Sequence, residues 1–187
     1  MKKMKILCVL LLTLIGTSVT HGSEISIETD PVAWALDGDA LHIKRSSTFH
    51  SNLTTGFGYF KLELPEFMID QNKKNRNRGW DVTVDNGYEI YLDYFLSNPD
   101  KGWFTGLQMS LYEFEIQRNN GSSNFSNAIS LWRSGYLWKP TGAGFYLMPW
   151  AAIGYSQKVS GKNSVNGETY DVEPLIFFAT LYVGYSF

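Results

Sequence analysis

The sequence predicts an all-β protein: an antiparallel transmembrane β-barrel, expected to have eight strands, that follows a cleaved signal peptide. Three observations carry this expectation. Long segments alternate apolar residues with polar or small ones, the two-residue period of a strand whose faces meet different surroundings. The last of these segments ends on the terminal residue, Phe187. After residue 22 no apolar stretch is long enough for a membrane-crossing helix. A chain of this kind enters lipid only as a closed sheet that satisfies its own backbone groups.

The elements follow in chain order. Lys2, Lys3 and Lys5 form a basic start, and residues 6–15 are an apolar run too short to span a bilayer. Thr20 and Gly22 supply small residues at the −3 and −1 positions, so cleavage is expected after Gly22, leaving residues 23–187 as one barrel domain. Cys8 is the single cysteine of the chain and lies within the apolar run, not at its end where a lipidated cysteine would sit. Its removal excludes disulfides, thiol catalysis and thiolate metal sites from the mature chain. Losing three lysines takes the formal charge from −2 to −5. No basic patch with interleaved aromatics points to nucleic acid.

Seven alternating runs are clear: residues 33–45, 54–64, 88–96, 103–111, 128–138, 145–155 and 177–187. Each is about ten residues, the length a tilted strand needs to cross hydrocarbon, whereas strands of soluble sandwiches are shorter. In the last run Phe177, Ala179, Leu181, Val183, Tyr185 and Phe187 share one apolar face. Around Glu113 and Glu115 the phase slips, which reads as a bulge. Compact turns at residues 97–102 and 139–144 fit the periplasmic side, with Trp103 and Trp138 beside them as interfacial aromatics. Polar stretches at 68–79, 118–124 and 160–171 fit longer outer loops.

Bacterial barrels have an even strand number, so seven runs leave one strand to find. Residues 24–30 are the favoured source, ending where Pro31 interrupts the ladder. Two other readings stay open: a tight hairpin at Asp85-Asn86-Gly87 that divides residues 80–96, or Asp30-Pro31 as the cap and first residue of a short helix ending near Gly38.

Two resemblances add to this reading. Leu181, Val183, Tyr185 and Phe187 resemble the C-terminal assembly signal of bacterial outer-membrane barrels, which implies recognition by the barrel-assembly machinery. The pieces Glu28-Thr29-Asp30-Pro31, Leu64-Pro65-Glu66-Phe67, Gly79-Trp80, Gly144-Phe145-Tyr146 with Pro149-Trp150, and Phe178-Ala179-Thr180-Leu181 are similar to a group of small outer-membrane barrels of no established activity. That resemblance implies a fold and an address in the bacterial outer membrane, and no reaction.

The inward positions of the runs collect His42, Lys44, Glu89, Asp93, Gln108 and Arg133, expected to form an internal salt-bridge and hydrogen-bond plug because a small barrel has room for side chains only. Lys73, Lys74, Arg76 and Arg78 form a basic loop able to touch lipopolysaccharide phosphates, weighed against an ordinary solvated loop. His50 lies among Ser46, Ser47, Thr48 and Ser51, without a nucleophile-elbow signature. Asn52, Asn120 and Asn124 match glycosylation acceptors by chance. No metal-ligand spacing and no cofactor motif occurs.

The expected function is therefore a non-enzymatic, monomeric outer-membrane barrel with a structural, adhesive or ligand-contact role through its outer loops, in contact with outer-membrane lipids. A lipid-modifying enzyme of deacylase or acyltransferase type, and a soluble secreted β-protein, are the alternatives.

Overall fold

The computed structural model describes residues 24–48, 50–97, 101–142 and 144–187. The expected signal peptide and Cys8 lie outside the described residues. Strands β1 (Ile25–Thr29), β2 (Asp39–Ser46), β3 (Leu53–Glu63), β4 (Asp81–Phe95), β5 (Gly102–Arg118), β6 (Gly121–Leu137), β7 (Phe145–Gly161) and β10 (Leu175–Ser186) close into one antiparallel barrel. A small hairpin of β8 (Ser164–Val165) and β9 (Glu168–Thr169) lies between β7 and β10. Helices α1 (Pro31–Ala35) and α2 (Glu66–Ile69) occupy two of the connections. Among the described residues no helix is long and apolar enough to cross a membrane.

The eighth strand is the N-terminal segment. β1 pairs with β10 through Ser26↔Ser186 to Thr29↔Val183, and with β2 through Ile25↔Arg45 to Glu28↔His42, which closes the ring. Pro31 has no N–H to continue the ladder, so β1 stops there. Asp30 then caps α1, its Oδ1 accepting from the Val32 amide at 2.8 Å. The strand and the short helix, posed as alternatives in the sequence, are both present. Consequently the run expected from residue 33 begins as helix, and its strand starts at Asp39. The hairpin proposed at Asp85-Asn86-Gly87 does not form. β4 passes through it with one extra residue, shown by Val84↔Phe114 followed by Asn86↔Glu113. The bulge expected on β5 near Glu113 therefore sits across the ladder on β4, and β5 keeps its phase.

Chain termini and the connections after β2, β4 and β6 share one end of the barrel. The opposite end carries α1, α2 and the β8–β9 hairpin. Of the three polar stretches expected to be long loops there, 118–124 is not one. β5 and β6 turn on Asn119 and Asn120 alone, both with positive φ (48° and 59°), as a two-residue hairpin requires.

Wall height is uneven. β5, β6 and β7 have 17 residues each, β1 only five. Since nine to eleven tilted residues cross hydrocarbon, roughly six residues of each long strand project beyond it. The outward face changes at that height. On β5 Trp103, Leu107, Met109 and Leu111 are exposed, and the same face continues as Glu113, Glu115 and Gln117. Ile43, Phe57, Ile90, Leu92, Ile153 and Phe177 extend the apolar belt around the ring. Trp103, Trp138 and Tyr136 are exposed near the terminal end, where an interfacial girdle belongs.

Candidate functional site

The interior has three layers. At the terminal end Phe95, Phe104, Leu137, Tyr146 and Met148 are almost completely buried and pack into one cluster. At the loop end Val82, Val84, Phe114, Ile116 and Phe125 point inward, roofed by Ile69, Trp80, Val165 and Tyr170 from the loops. Between the loop-end cluster and the terminal-end residues named first lies a polar network built by inward positions of β1, β2, β4, β5, β6 and β10, and the terminal-end cluster runs up alongside it through Trp150, Ala152, Leu131, Ile129 and Tyr182.

Glu28 anchors one part of this layer. Its Oε1 accepts from Lys44 Nζ at 2.7 Å and from the Tyr146 hydroxyl at 2.6 Å, and its Oε2 accepts from the Tyr91 hydroxyl at 2.9 Å. Glu89 anchors a second part. Its Oε2 accepts from Gln108 Nε2 at 2.7 Å and its Oε1 from the Tyr182 hydroxyl at 3.0 Å, while His42 Nε2 lies 3.1 Å from the same Oε1. The His42 ring stacks on Tyr182 with centroids 4.4 Å apart. Arg133 joins the parts: its Nη1 donates to Gln108 Oε1 at 2.8 Å, and its Nε lies 3.3 Å from Asp93 Oδ1. The guanidinium is held between the rings of Tyr91 and Trp150, 4.4 and 4.2 Å from their centroids.

Glycine makes this density possible. A Cβ on Gly58 would stand 2.1 Å from His42 Cδ2, and one on Gly106 would stand 2.3 Å from Asp93 Oδ1. Both strands thus give up a side chain where a charged neighbour must cross the lumen.

All six interior residues named from the sequence, His42, Lys44, Glu89, Asp93, Gln108 and Arg133, are buried in this layer. Glu28 was missed, although it makes three of the shortest contacts. Its signal was the alternation of Ser26 and Glu28 with Ile25 and Ile27, obscured by uncertainty over β1. Tyr91, Tyr146 and Tyr182 take the inward phase of their runs in the sequence, but they were not counted with the polar set. Among the described residues no three His, Cys, Asp or Glu side chains converge as a metal site.

The basic loop lies at the helix-bearing end. Lys74 Nζ pairs with Asp171 at 3.1 Å, and Arg78 Nη1 lies 3.5 Å from Glu168. Arg118 also pairs with Glu168, and this guanidinium holds the Glu168 carboxyl below the usual carboxylate range. The buried Asn75 ties the loop to the β9–β10 connection, donating to Asp171 O at 2.8 Å and accepting from the Asp171 amide at 2.9 Å. Lys73 and Arg76 are exposed beside these pairs, and Arg76 Nε donates to Asp70 O at 3.2 Å. His50 is at the other end, among the connections near the termini, where its amide donates to Ser47 Oγ at 3.2 Å. The assembly-signal residues Leu181, Val183, Tyr185 and Phe187 line the outward face of β10, with Phe187 N donating to Ile25 O at 2.9 Å where the barrel closes.

A closed eight-stranded antiparallel barrel with an apolar outer belt and a polar interior is thus the class this chain's own strand register defines. No protein-family model matches the chain, and no curated protein matches it. Among solved structures, the N-terminal β-barrel domain of Pseudomonas aeruginosa OprF is similar at 12% identity, covering 88% of this chain and 96% of that one with a TM-score of 0.49.

Proposed function

We propose that this protein is a non-enzymatic, monomeric barrel of the bacterial outer membrane, closed to ion flow, that works as a contact surface through its loop-bearing end. The observation that carries this reading is the layering of the interior: a polar network lies between two apolar clusters, inside a wall whose outer belt is apolar. A water-filled channel needs a continuous polar lumen, which two packed apolar layers interrupt. The belt argues against a soluble secreted protein, which would turn its largest apolar surface inward.

The orientation follows from connection lengths. The end with both described chain ends carries only short connections and faces the periplasm, whereas the opposite end, apart from the two-residue β5–β6 turn, carries the longer ones with α1, α2 and the β8–β9 hairpin and faces outward. In that orientation Lys73, Lys74, Arg76 and Arg78 stand at the level of lipopolysaccharide phosphates, where exposed cations recruit anionic headgroups. Leu181, Val183, Tyr185 and Phe187 serve the barrel-assembly machinery as the last strand is added. His50, the histidine weighed for a lipid-modifying enzyme, lies at the end of the barrel with the described chain ends, opposite the loop-bearing end that this reading turns outward.

Two measurements test the reading. Cell fractionation should recover the protein in the outer membrane, with a heat-dependent gel mobility typical of a folded barrel. Recovery in the soluble periplasm without detergent would reject it. Reconstituted in planar bilayers, the protein should give no stable large channels, and a persistent open state would overturn the closed-interior part.

A further inference from the structure

The barrel wall is lowest at β1. That strand pairs with β10 only from Ser26↔Ser186 to Thr29↔Val183, so among the described residues 175–182 of β10 have β7 as their only strand neighbour. α1 stands where β1 would have continued, packed against β10, β2 and β3. We propose that α1 is immersed in the membrane, and that its outer face, Val32, Trp34 and Ala35, binds the acyl chains of outer-leaflet lipids. The proposal rests on the outer-membrane reading above and adds to it a lipid-contact surface that is not a strand.

Contacts on both flanks fix the height of α1 against the apolar belt. At its start, Asp30 Oδ2 accepts from Thr180 Oγ1 at 2.7 Å, so the helix begins level with the middle of β10. Above that level the outward face of β10 stays apolar through Ala179, Phe177 and Leu175, the last two 69% and 53% exposed. On the other flank Leu41 and Ile43 of β2 are exposed, and the outward face turns polar only at Asp39 and Lys61, which pair at 3.5 Å. The chain leaving α1 reaches that polar level, where Leu36 O accepts from Glu63 N at 3.1 Å. α1 therefore runs through the upper part of the belt and ends at its water-facing edge. Whatever surrounds Phe177 on one side and Leu41 on the other also surrounds Trp34.

The chemistry of α1 suits hydrocarbon. Val32 and Trp34 are 43% and 55% exposed, Ala35 is exposed beside them, and Ala33 is buried against the barrel. No charged residue occurs from Pro31 to Leu36. Backbone groups in lipid must be satisfied within the protein. Val32 O accepts from Leu36 N at 3.1 Å and Ala33 O from Gly38 N at 2.8 Å. Where β2 rises past the end of β1, Thr29 Oγ1 donates to Ala40 O at 2.7 Å in place of a ladder bond. A short helix that meets its own backbone demands covers the open edge of β10, and lipid completes the wall outside it.

Single nitroxide labels test this placement. Cys8 is the one cysteine of the full chain, so in a Cys8→Ser background Val32→Cys or Trp34→Cys supplies the sole label site. Leu107→Cys marks the belt and Gln117→Cys the water-facing half of β5. Each protein is folded into phosphatidylcholine vesicles, with folding checked by heat-dependent gel mobility. Electron paramagnetic resonance then compares access of dissolved oxygen, which concentrates in hydrocarbon, with access of a water-soluble nickel chelate. Labels at 32 and 34 should match the label at 107, open to oxygen and lost to nickel, and the label at 117 should show the reverse. If Trp34→Cys does not fold, the label at 32 gives the same reading. Nickel access at 32 and 34 equal to that at 117, with 107 still in hydrocarbon, overturns the proposal and leaves the outer-membrane reading standing. Shelter from both reagents at 32 and 34 also overturns it, since protein and not lipid would then cover α1. Nickel access at 107 as well removes the membrane reading, and this proposal with it.

Discussion

The two halves of strand β5 obey opposite rules. From Trp103 to Leu111 its outward side chains are apolar except Thr105, whose hydroxyl accepts from the exposed Trp132 indole, and its inward ones include Gln108 and Ser110. From Tyr112 onward the inward side chains are Tyr112, Phe114 and Ile116, and the outward ones are Glu113, Glu115 and Gln117. β5 keeps its own phase and its register with β6 across this point, while β4 takes up one extra residue opposite Phe114 and Glu113. In lipid the exterior must be apolar, and polar groups are tolerable inside only where they satisfy one another. Above lipid the exterior meets water, and the interior becomes an ordinary hydrophobic core. The same strands thus carry an apolar-belted half with a polar interior and a half with a polar exterior over an apolar core, and substitutions should behave differently in the two halves.

The largest difference is expected inside the membrane-level half. Arg133 is fully buried and joins Gln108, Asp93, Tyr91 and Trp150. Arg133→Ala leaves Asp93 buried without its cation, which should cost about 3–5 kcal/mol. Replacing both partners, as Arg133→Met with Asp93→Val, should recover much of that loss, because apolar replacement of a buried pair is often neutral or better. Urea unfolding in lipid vesicles, followed by gel mobility, measures both. An Arg133→Ala barrel within about 1 kcal/mol of the parent would mean that the network contributes little to the fold.

A smaller contrast lies on the outward face of the same strand. Leu107 is at the middle of the apolar belt, and Gln117 is exposed ten positions further along that face. Leu107→Arg should destabilise by about 2–4 kcal/mol, the cost of a cation near the bilayer midplane. Gln117→Arg should stay within about 0.5 kcal/mol. Equal effects at the two positions would erase the proposed boundary near Leu111.

This boundary also explains which parts of the fold were legible in the sequence. The membrane-level strands could be read because one rule, apolar outward, governs all of them, and the terminal run of β10 set the phase for the rest. The inward positions His42, Lys44, Glu89, Asp93, Gln108 and Arg133 followed from that phase alone. The upper halves of β5, β6 and β7 could not be read by the same rule. The inversion at Glu113 looks in sequence like a slip of phase, and so suggested a bulge on β5, while the actual extra residue on β4 left no such signature. Polar residues 118–124 looked like a loop for a related reason: a water-facing strand with Ser122 and Asn124 outward is as polar as a loop. β1 was obscure because five residues are too few to establish a period, which is also why Glu28 went unnoticed.

The smallest expected effect is confined to the water-exposed half and depends on pH. Tyr170 reaches from the β9–β10 connection into the outer apolar cluster, where its ring meets Trp80 edge-on at 5.7 Å between centroids. Burial pushes its hydroxyl up from 10.0 to about 12. The shift is upward, so the folded loop retains this proton to higher pH than the unfolded one does. The contribution of Tyr170 is therefore complete below pH 10, declines between 10 and 12, and is lost above the folded value. Over that window amide exchange in residues 163–171 should accelerate, while β5 and β6 at the level of the belt remain protected. Tyr170→Phe keeps the edge-on contact and removes the titrating group, so its loop should pass through the same window unchanged. Acceleration that spreads equally to the membrane-level strands would show that the outer half does not open independently, and the two regions would then have to be treated as one cooperative unit.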